Sequence, residues 1–339
     1  MRPALRIRLR PTTPWRTGSP HGGRDAVEPL FHSDSLYGAV SSAMARLGDL
    51  DEWLAATAAT PEPAVRLSSC FPFLEQMDFV PPPMSHWPPP HSSHVRWASA
   101  RLAPASLITA ILNGEMPKEE RWVVDGHTGC LLPVDRRGMA QGPFRYVTRE
   151  KAAVDRVTGG MVAPHRAAAL QFAPNAGMWC AAVFQDDEAA AKWSQPLKAA
   201  FRLLADSGFG GMRSHGFGRA SAPEFESGDW PALVLNAPAA DNPSWWLLSL
   251  MTPAEDERVD WSAGAYGVTE RGGRIESPQA WGGEKRESSM VKEGSVLACA
   301  EAPRGAAEDV APEGFAHPVW RAGFALAVPI PASQGGRAA

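Results

Sequence analysis

Residues 177–184 read Gly-Met-Trp-Cys-Ala-Ala-Val-Phe, an apolar run of strand length. Asp187–Ala205 follows, with Trp193, Leu197, Phe201 and Leu204 at helical spacing. Next comes the densest glycine cluster of the chain, Ser207-Gly-Phe-Gly-Gly-Met-Arg-Ser-His-Gly-Phe-Gly-Arg219, leading into a strand expected over Arg219–Phe225. Strand, helix, glycine-rich turn and strand thus succeed one another within about fifty residues. Near the start, Ala4-Leu-Arg-Ile-Arg-Leu-Arg10 alternates apolar and basic residues with period two, as a half-buried strand does, and Pro11 and Pro14 end it. Ser33 or Asp34 is placed to cap a helix to about Leu47, with Leu36, Val40, Met44 and Leu47 on one face and Gly48 closing it. A shorter helix is expected over Leu50–Ala58. The order strand, helix, irregular insertion, strand, helix, turn, strand suits an α+β unit of the ferredoxin-like βαββαβ kind.

Between these halves, Pro61–Pro104 is proline-rich and weakly periodic apart from the apolar Leu67–Leu74. A long irregular insertion of this kind is usually functional or ordered by a partner. After Pro231–Pro243 the composition resets, which places a domain boundary near residue 238, and strands are expected at 245–251, 265–269, 294–300 and 323–330.

The 339 residues include 32 Pro, 31 Gly and 13 Trp, a composition of short elements and long connections that excludes a helical bundle or coiled coil. A formal net charge of −4 argues against a general nucleic-acid coat, yet charge is segregated. Residues 136–166 carry seven Lys or Arg against two acids, and the first 24 residues hold six Arg and no acid. The four cysteines form no CxxC pair, which fits free thiols in a reducing cytosol. The N-terminus has no apolar signal core, and the longest apolar runs fall far short of the ~20 residues a membrane span needs. A cytoplasmic protein is expected.

The glycine cluster is the first candidate site. Gly208, Gly210, Gly211, Gly216 and Gly218 permit close backbone approach, and free loop amides with Arg213 and Arg219 would cradle phosphates. It is not a Walker loop, since Phe217-Gly218 stands where Lys-Ser/Thr would be required. The competing reading is a turn that merely joins helix to strand. The segment 145–160 mixes Arg145, Arg149, Lys151 and Arg156 with Tyr146, a composition suited to single-stranded nucleic acid. At the helix start, Asp34 is expected to serve as cap, and His32 is left open for phosphate contact or proton transfer. His86, His91 and His94 lack a frame that would orient them on a metal, and no metal or cofactor is expected. GxSxG, HExxH and paired CxxC signatures are all missing, so the sequence makes no positive case for an enzyme.

Several of these segments, in this order, resemble one family. Leu30-Phe-His-Ser-Asp-Ser-Leu-Tyr-Gly-Ala-Val40, Leu67-Ser-Ser-Cys-Phe-Pro-Phe73, Val154-Asp-Arg-Val-Thr-Gly159, the loop Gly208–Gly218, Ile275-Glu-Ser-Pro with Trp281-Gly, and His317-Pro-Val-Trp-Arg-Ala-Gly-Phe324 are similar to elements of the RAMP protein of type III-A CRISPR (Csm) complexes that caps the 5′ tag of the guide RNA. The resemblance implies two ferredoxin-like (RRM-like) domains, 1–238 and 239–339. The first would carry a Pro-rich and thumb-like insertion over about 60–165. It further implies non-catalytic crRNA binding in antiviral defence, with a large polymerase-like signature subunit and backbone RAMP subunits as partners. By position, the RNA-binding residues would be His32, Ser33, Arg145, Lys151, Asp155, Arg156, Gly208, Gly210, Gly211, Arg213, Ser214, His215, Gly216, Gly218 and Arg219. His215 departs from the small residue expected there. The alternative is a metal-independent RAMP-type endoribonuclease cutting repeat RNA, with His32 or His215 as general acid or base.

Overall fold

The computed structural model describes residues 1–18, 26–89, 97–134, 141–151, 156–158, 160, 165–236, 243–277 and 280–332. Its first part contains β1 (Arg2–Leu9), α1 (Ser33–Leu47), α2 (Leu50–Ala56), β2 (Val65–Leu67), β3 (Phe71–Leu74), β4 (Met77–Val80), β5 (Ala103–Pro104) and α3 (Ala105–Leu112). There follow β6 (Trp122–Val124), β7 (Leu131–Pro133), β8 (Phe144–Lys151), β9 (His165–Phe172), β10 (Ala176–Phe184), α4 (Asp187–Ser207) and β11 (Glu224–Trp230). The main sheet runs β11-β1-β10-β3-β4-β5, with β2 also on β10. β1 is antiparallel to both β10 and β11, and β10 is antiparallel to β2 and β3. The strand order is therefore that of a βαββαβ unit whose second strand is broken into β2 and β3.

That break corrects the reading of Pro61–Pro104 as an irregular insertion. Residues 65–74 belong to the main sheet, where Pro72 in β3 and the Ser68–Cys70 interruption hide the strand pattern. Ser68 fills the gap: its N–H donates to the Ala181 carbonyl, and its Oγ accepts from the Ala181 N–H at 2.8 Å.

β10 is buried along its whole length because both faces are covered. Met178, Cys180, Ala182 and Phe184 face α1 and α4 together with Leu5, Ile7 and Leu9 of β1. Trp179, Ala181 and Val183 face the second part of the chain, through Trp246, Leu248, Val328 and Ile330. The arginines that alternate along β1 are neutralised on this second side. Asp78 accepts from Arg6 at 3.0 Å and Arg8 at 2.7 Å, while Glu226 pairs with Arg6 and Glu224 with Arg10. The arginines of β1 and its end, Arg6, Arg8 and Arg10, are thus balanced by the fold.

The second part holds β12 (Ser244–Leu247), β13 (Asp260–Ala265), β14 (Val268–Arg271), β15 (Arg274–Ser277), β16 (Ala280–Glu284), β17 (Ser288–Val291), β18 (Val296–Ala298), β19 (Gly305–Asp309), β20 (Trp320–Phe324) and β21 (Ala327–Ile330). Its sheet is β13-β18-β12-β21, beside the two-stranded pairs β14-β17, β15-β16 and β19-β20. Among the described residues no α-helix follows Ser207. Among the described residues the helices that a second ferredoxin-like unit would contribute are not seen; short strands between turn residues leave no run of helix length there. The two parts also share one core across the main sheet. No helix among the described residues is long and apolar enough to cross a membrane.

Candidate nucleic-acid interface

The glycine-rich loop follows α4, which Gly208 closes with its N–H on the Leu204 carbonyl. The loop folds back on itself and on residues 12–17. Phe209 N–H donates to Gly218 O, Gly211 N–H to Arg16 O, and Gly218 N–H to Pro14 O, all at 2.8–2.9 Å. Gly210 and Gly218 have φ of +72° and +83°, and a Cβ at either would collide with a backbone carbonyl, that of Arg16 or Phe209. These glycines therefore serve close backbone packing, and the expected phosphate cradle of free amides is corrected: most of the loop N–H groups are already bound within the protein. What the loop offers outward is side chains. Ser214, His215 and Arg219 are exposed on and after the short 3₁₀ turn Arg213–His215, and Arg213 lays its stem over Gly208.

Next to the loop stands the two-stranded ribbon β8-β9, in unbroken register from Phe144↔Phe172 to Lys151↔His165. Arg145, Tyr146, Arg149 and Arg166 are exposed along it, with Arg149 on Gln171 Oε1 at 3.0 Å and Arg166 on Glu150 at 2.8 Å. Arg156 lies in the exposed turn at the far end. Asp155, and the Val154 and Gly159 of the same motif, fall outside the described residues, as do His91 and His94. Trp15 ties ribbon to loop, pairing its backbone with Leu170 in both directions and stacking on Phe209 at 4.9 Å.

His32 and Ser33 are placed differently. Phe31 packs edge-on against Phe209, so the start of α1 lies behind the loop. The His32 ring, however, is held between two carboxylates, Glu28 on Nε2 at 2.6 Å and Glu293 on Nδ1 at 2.8 Å. Burial pulls its pKa down, but the Glu293 charge and the hydrogen bonds the ring donates to Glu28 and Glu293 outweigh burial and the opposing Arg271, raising it to about 10. Ser33 Oγ accepts from the Leu250 N–H at 3.0 Å, and its own N–H donates to Ser69 Oγ at 2.8 Å. His32, not Asp34, occupies the N-cap position, and no side chain caps α1.

Asp34 instead accepts two hydrogen bonds from Arg271, at 3.0 and 3.1 Å, with Arg321 at 3.8 Å. Burial would raise its pKa, yet Arg271 above all holds it below the usual range. Ser69 Oγ completes the set by donating to Glu293, whose own pKa is lowered against burial by His32. Three cations (His32, Arg271, Arg321) and three carboxylates (Glu28, Asp34, Glu293) thus form one charge-balanced cluster joining α1 to the second part of the chain. With both ring nitrogens engaged, His32 is a latch in this arrangement, and nothing in the sequence pattern marks Glu293 or Arg271 as its partners.

Comparison with known proteins bears on this geometry. Residues 240–330 match the family model described as the CRISPR Csm4 C-terminal domain. Over these residues, the second part of the chain, the sequence is similar to that family. No curated protein matches it in sequence. Among solved structures, the Csm4-like fold is shared with a chain of the Csm3–Csm4 subcomplex of the type III-A CRISPR-Cas interference complex. The TM-score is 0.65 at 16% identity, over 96% of this chain and 99% of that one. Chains of the Csm1–Csm4 cassette, crystallised with cA4 or with pppApA, give a TM-score of 0.59 at 15% and 14% identity, over 98% of this chain and all of theirs. At these identities the likeness is one of fold, and it spans both parts of the chain.

Proposed function

We propose that this chain is a non-catalytic subunit of a type III-A CRISPR effector complex that binds the 5′ tag of the crRNA and docks a Csm1-like large subunit and a Csm3-like backbone subunit in the cytoplasm. The first part, with its βαββαβ strand order, is read as ferredoxin-like, and the second as a strand-built variant that packs on it. The observation carrying the RNA assignment is the juxtaposition of the Arg213–Arg219 turn with the arginine-bearing β8-β9 ribbon, joined through Trp15. Phosphates would meet Arg145, Arg156, Arg213 and Arg219, while bases stack or hydrogen-bond along loop and ribbon, Tyr146 being exposed on the ribbon. Four such contacts give a log–log salt slope of about −2.8 for single-stranded RNA, at about −0.7 each. A slope near zero for binding by the assembled complex would refute the reading.

The endoribonuclease alternative requires a proton-transfer group. His32 is sequestered between carboxylates, which leaves the exposed His215, with Ser214 Oγ 3.2 Å from its Nδ1. Incubation of the purified protein with repeat RNA in EDTA separates the readings. Intact RNA is expected, and a specific cut abolished by His215→Ala would favour the nuclease.

A further inference from the structure

The outward-facing Arg219 is held by its backbone to an unusual degree. Its N–H donates to Thr13 Oγ1 at 3.0 Å, and its carbonyl accepts from both Thr12 N–H at 2.9 Å and Trp15 Nε1 at 3.1 Å. Trp15 is itself fixed: it is 1% exposed, stacked on Phe209, edge-on to Phe172 of β9, and paired with Leu170 through N–H and carbonyl. Arg16 extends the tie, its guanidinium donating to Ala168 O at 2.9 Å. Residues 12–16 therefore form a strap that clamps both peptide groups flanking the Arg219 Cα and refers them to the ribbon. The Arg219 side chain stays exposed.

We propose that Thr13 and Trp15 are positioning residues for Arg219, directing its guanidinium at one phosphate of bound RNA in register with the phosphates met by the ribbon. The proposal rests on the reading above that this loop lines the guide strand. Physically, a long flexible cation that must also order its backbone on binding loses part of its contact to entropy. A backbone already clamped leaves only side-chain rotamers to be fixed. The strap supplies that preorganisation without touching RNA.

The test measures binding of a fluorescein-labelled guide RNA carrying its 5′ tag to the full chain across a salt series. Arg219→Ala should weaken binding about fivefold at 0.1 M salt and make the slope shallower by about 0.7, the signature of one lost phosphate contact. Thr13→Val, which keeps the shape and deletes the acceptor, and Trp15→Phe, which keeps a ring and deletes the N–H donor, should shift the slope in the same direction with Arg219 still present. In the Arg219→Ala background they should add nothing. A purely structural role would lower thermal stability and leave the slope where it was. If Arg219→Ala flattens the slope and Thr13→Val with Trp15→Phe does not, the positioning role is overturned and the RNA reading stands. If Arg219→Ala leaves slope and affinity unchanged, the loop assignment fails and the positioning role falls with it. Should Trp15→Phe fail to fold, Thr13→Val alone decides.

Discussion

Replacing Glu293 with Gln removes one charge from the buried cluster and keeps the shape and acceptor that His32 and Ser69 use. Glu293 is 6% exposed and has His32 Nδ1 at 2.8 Å. Breaking one side of a buried ion pair costs about 3–5 kcal/mol, because the remaining charge stays desolvated. With an unfolding entropy of about 2.1 cal/mol/K per residue, a chain of 339 residues has about 0.7 kcal/mol/K, so Tm should fall by about 4–7 °C. Differential scanning calorimetry at pH 7 measures this directly. The His32→Gln/Glu293→Gln double variant should lose less than the sum of the singles by at least about 1 kcal/mol, since the two are in contact. A Tm for Glu293→Gln within about 1 °C of the parent, or strict additivity, would refute the claim that this cluster latches the two parts together.

The same cluster predicts a pH window. His32, with an ordinary pKa of 6.5 and about 10 when folded, stabilises fully below 6.5 and loses that contribution as pH rises through about 10; the difference in Tm between parent and His32→Gln should shrink over that range. Asp34 and Glu293, both held below their ordinary values, contribute above those values and lose it in acid, so Asp34→Asn should narrow the gap to parent as pH falls. Gly218→Ala, at φ +83° and against the Phe209 backbone, should loosen the loop and lower guide-RNA retention in pull-downs; unchanged retention would show that the tight packing there is dispensable. Asp78→Asn should cost about 3 kcal/mol by taking the carboxylate from buried Arg8, while Arg6 keeps Glu226 and RNA affinity stays intact; a large affinity change would mean that the β1 arginines belong to the RNA surface.

What the sequence disclosed followed periodicity. The period-two run at 4–10, the helical faces of 33–47 and 187–205, and the apolar run at 177–184 are local signals, and they yielded the order of the βαββαβ unit. β2 and β3 were obscured because Pro72 and a three-residue break interrupt any alternation, and their place is set by pairing with β10, more than a hundred residues away. The charge reading was half right for a similar reason. Arg6, Arg8 and Arg10 look like a basic face until Asp78, Glu224 and Glu226 fold against them, whereas the ribbon arginines stay exposed. The glycine cluster was legible as a place of close approach, but what approaches is the protein's own backbone. Seven of the tryptophans are buried in this chain's own core, where packing rather than any local pattern places them. The latch was invisible because, apart from Glu28 and His32 four residues apart, it joins residues 32, 34 and 69 to 271, 293 and 321, more than two hundred positions away.

The central claim is that the turn Arg213–Arg219 and the β8-β9 ribbon hold the 5′ end of the guide RNA. Ultraviolet crosslinking of the assembled complex, with a photoreactive nucleotide in the 5′ tag and the crosslinked peptides sequenced, tests it most directly. Crosslinks on peptides carrying residues 213–219 or 145–149 of this chain are the predicted result. Crosslinks from the tag that fall only on other subunits, or on this chain away from both segments, would contradict it.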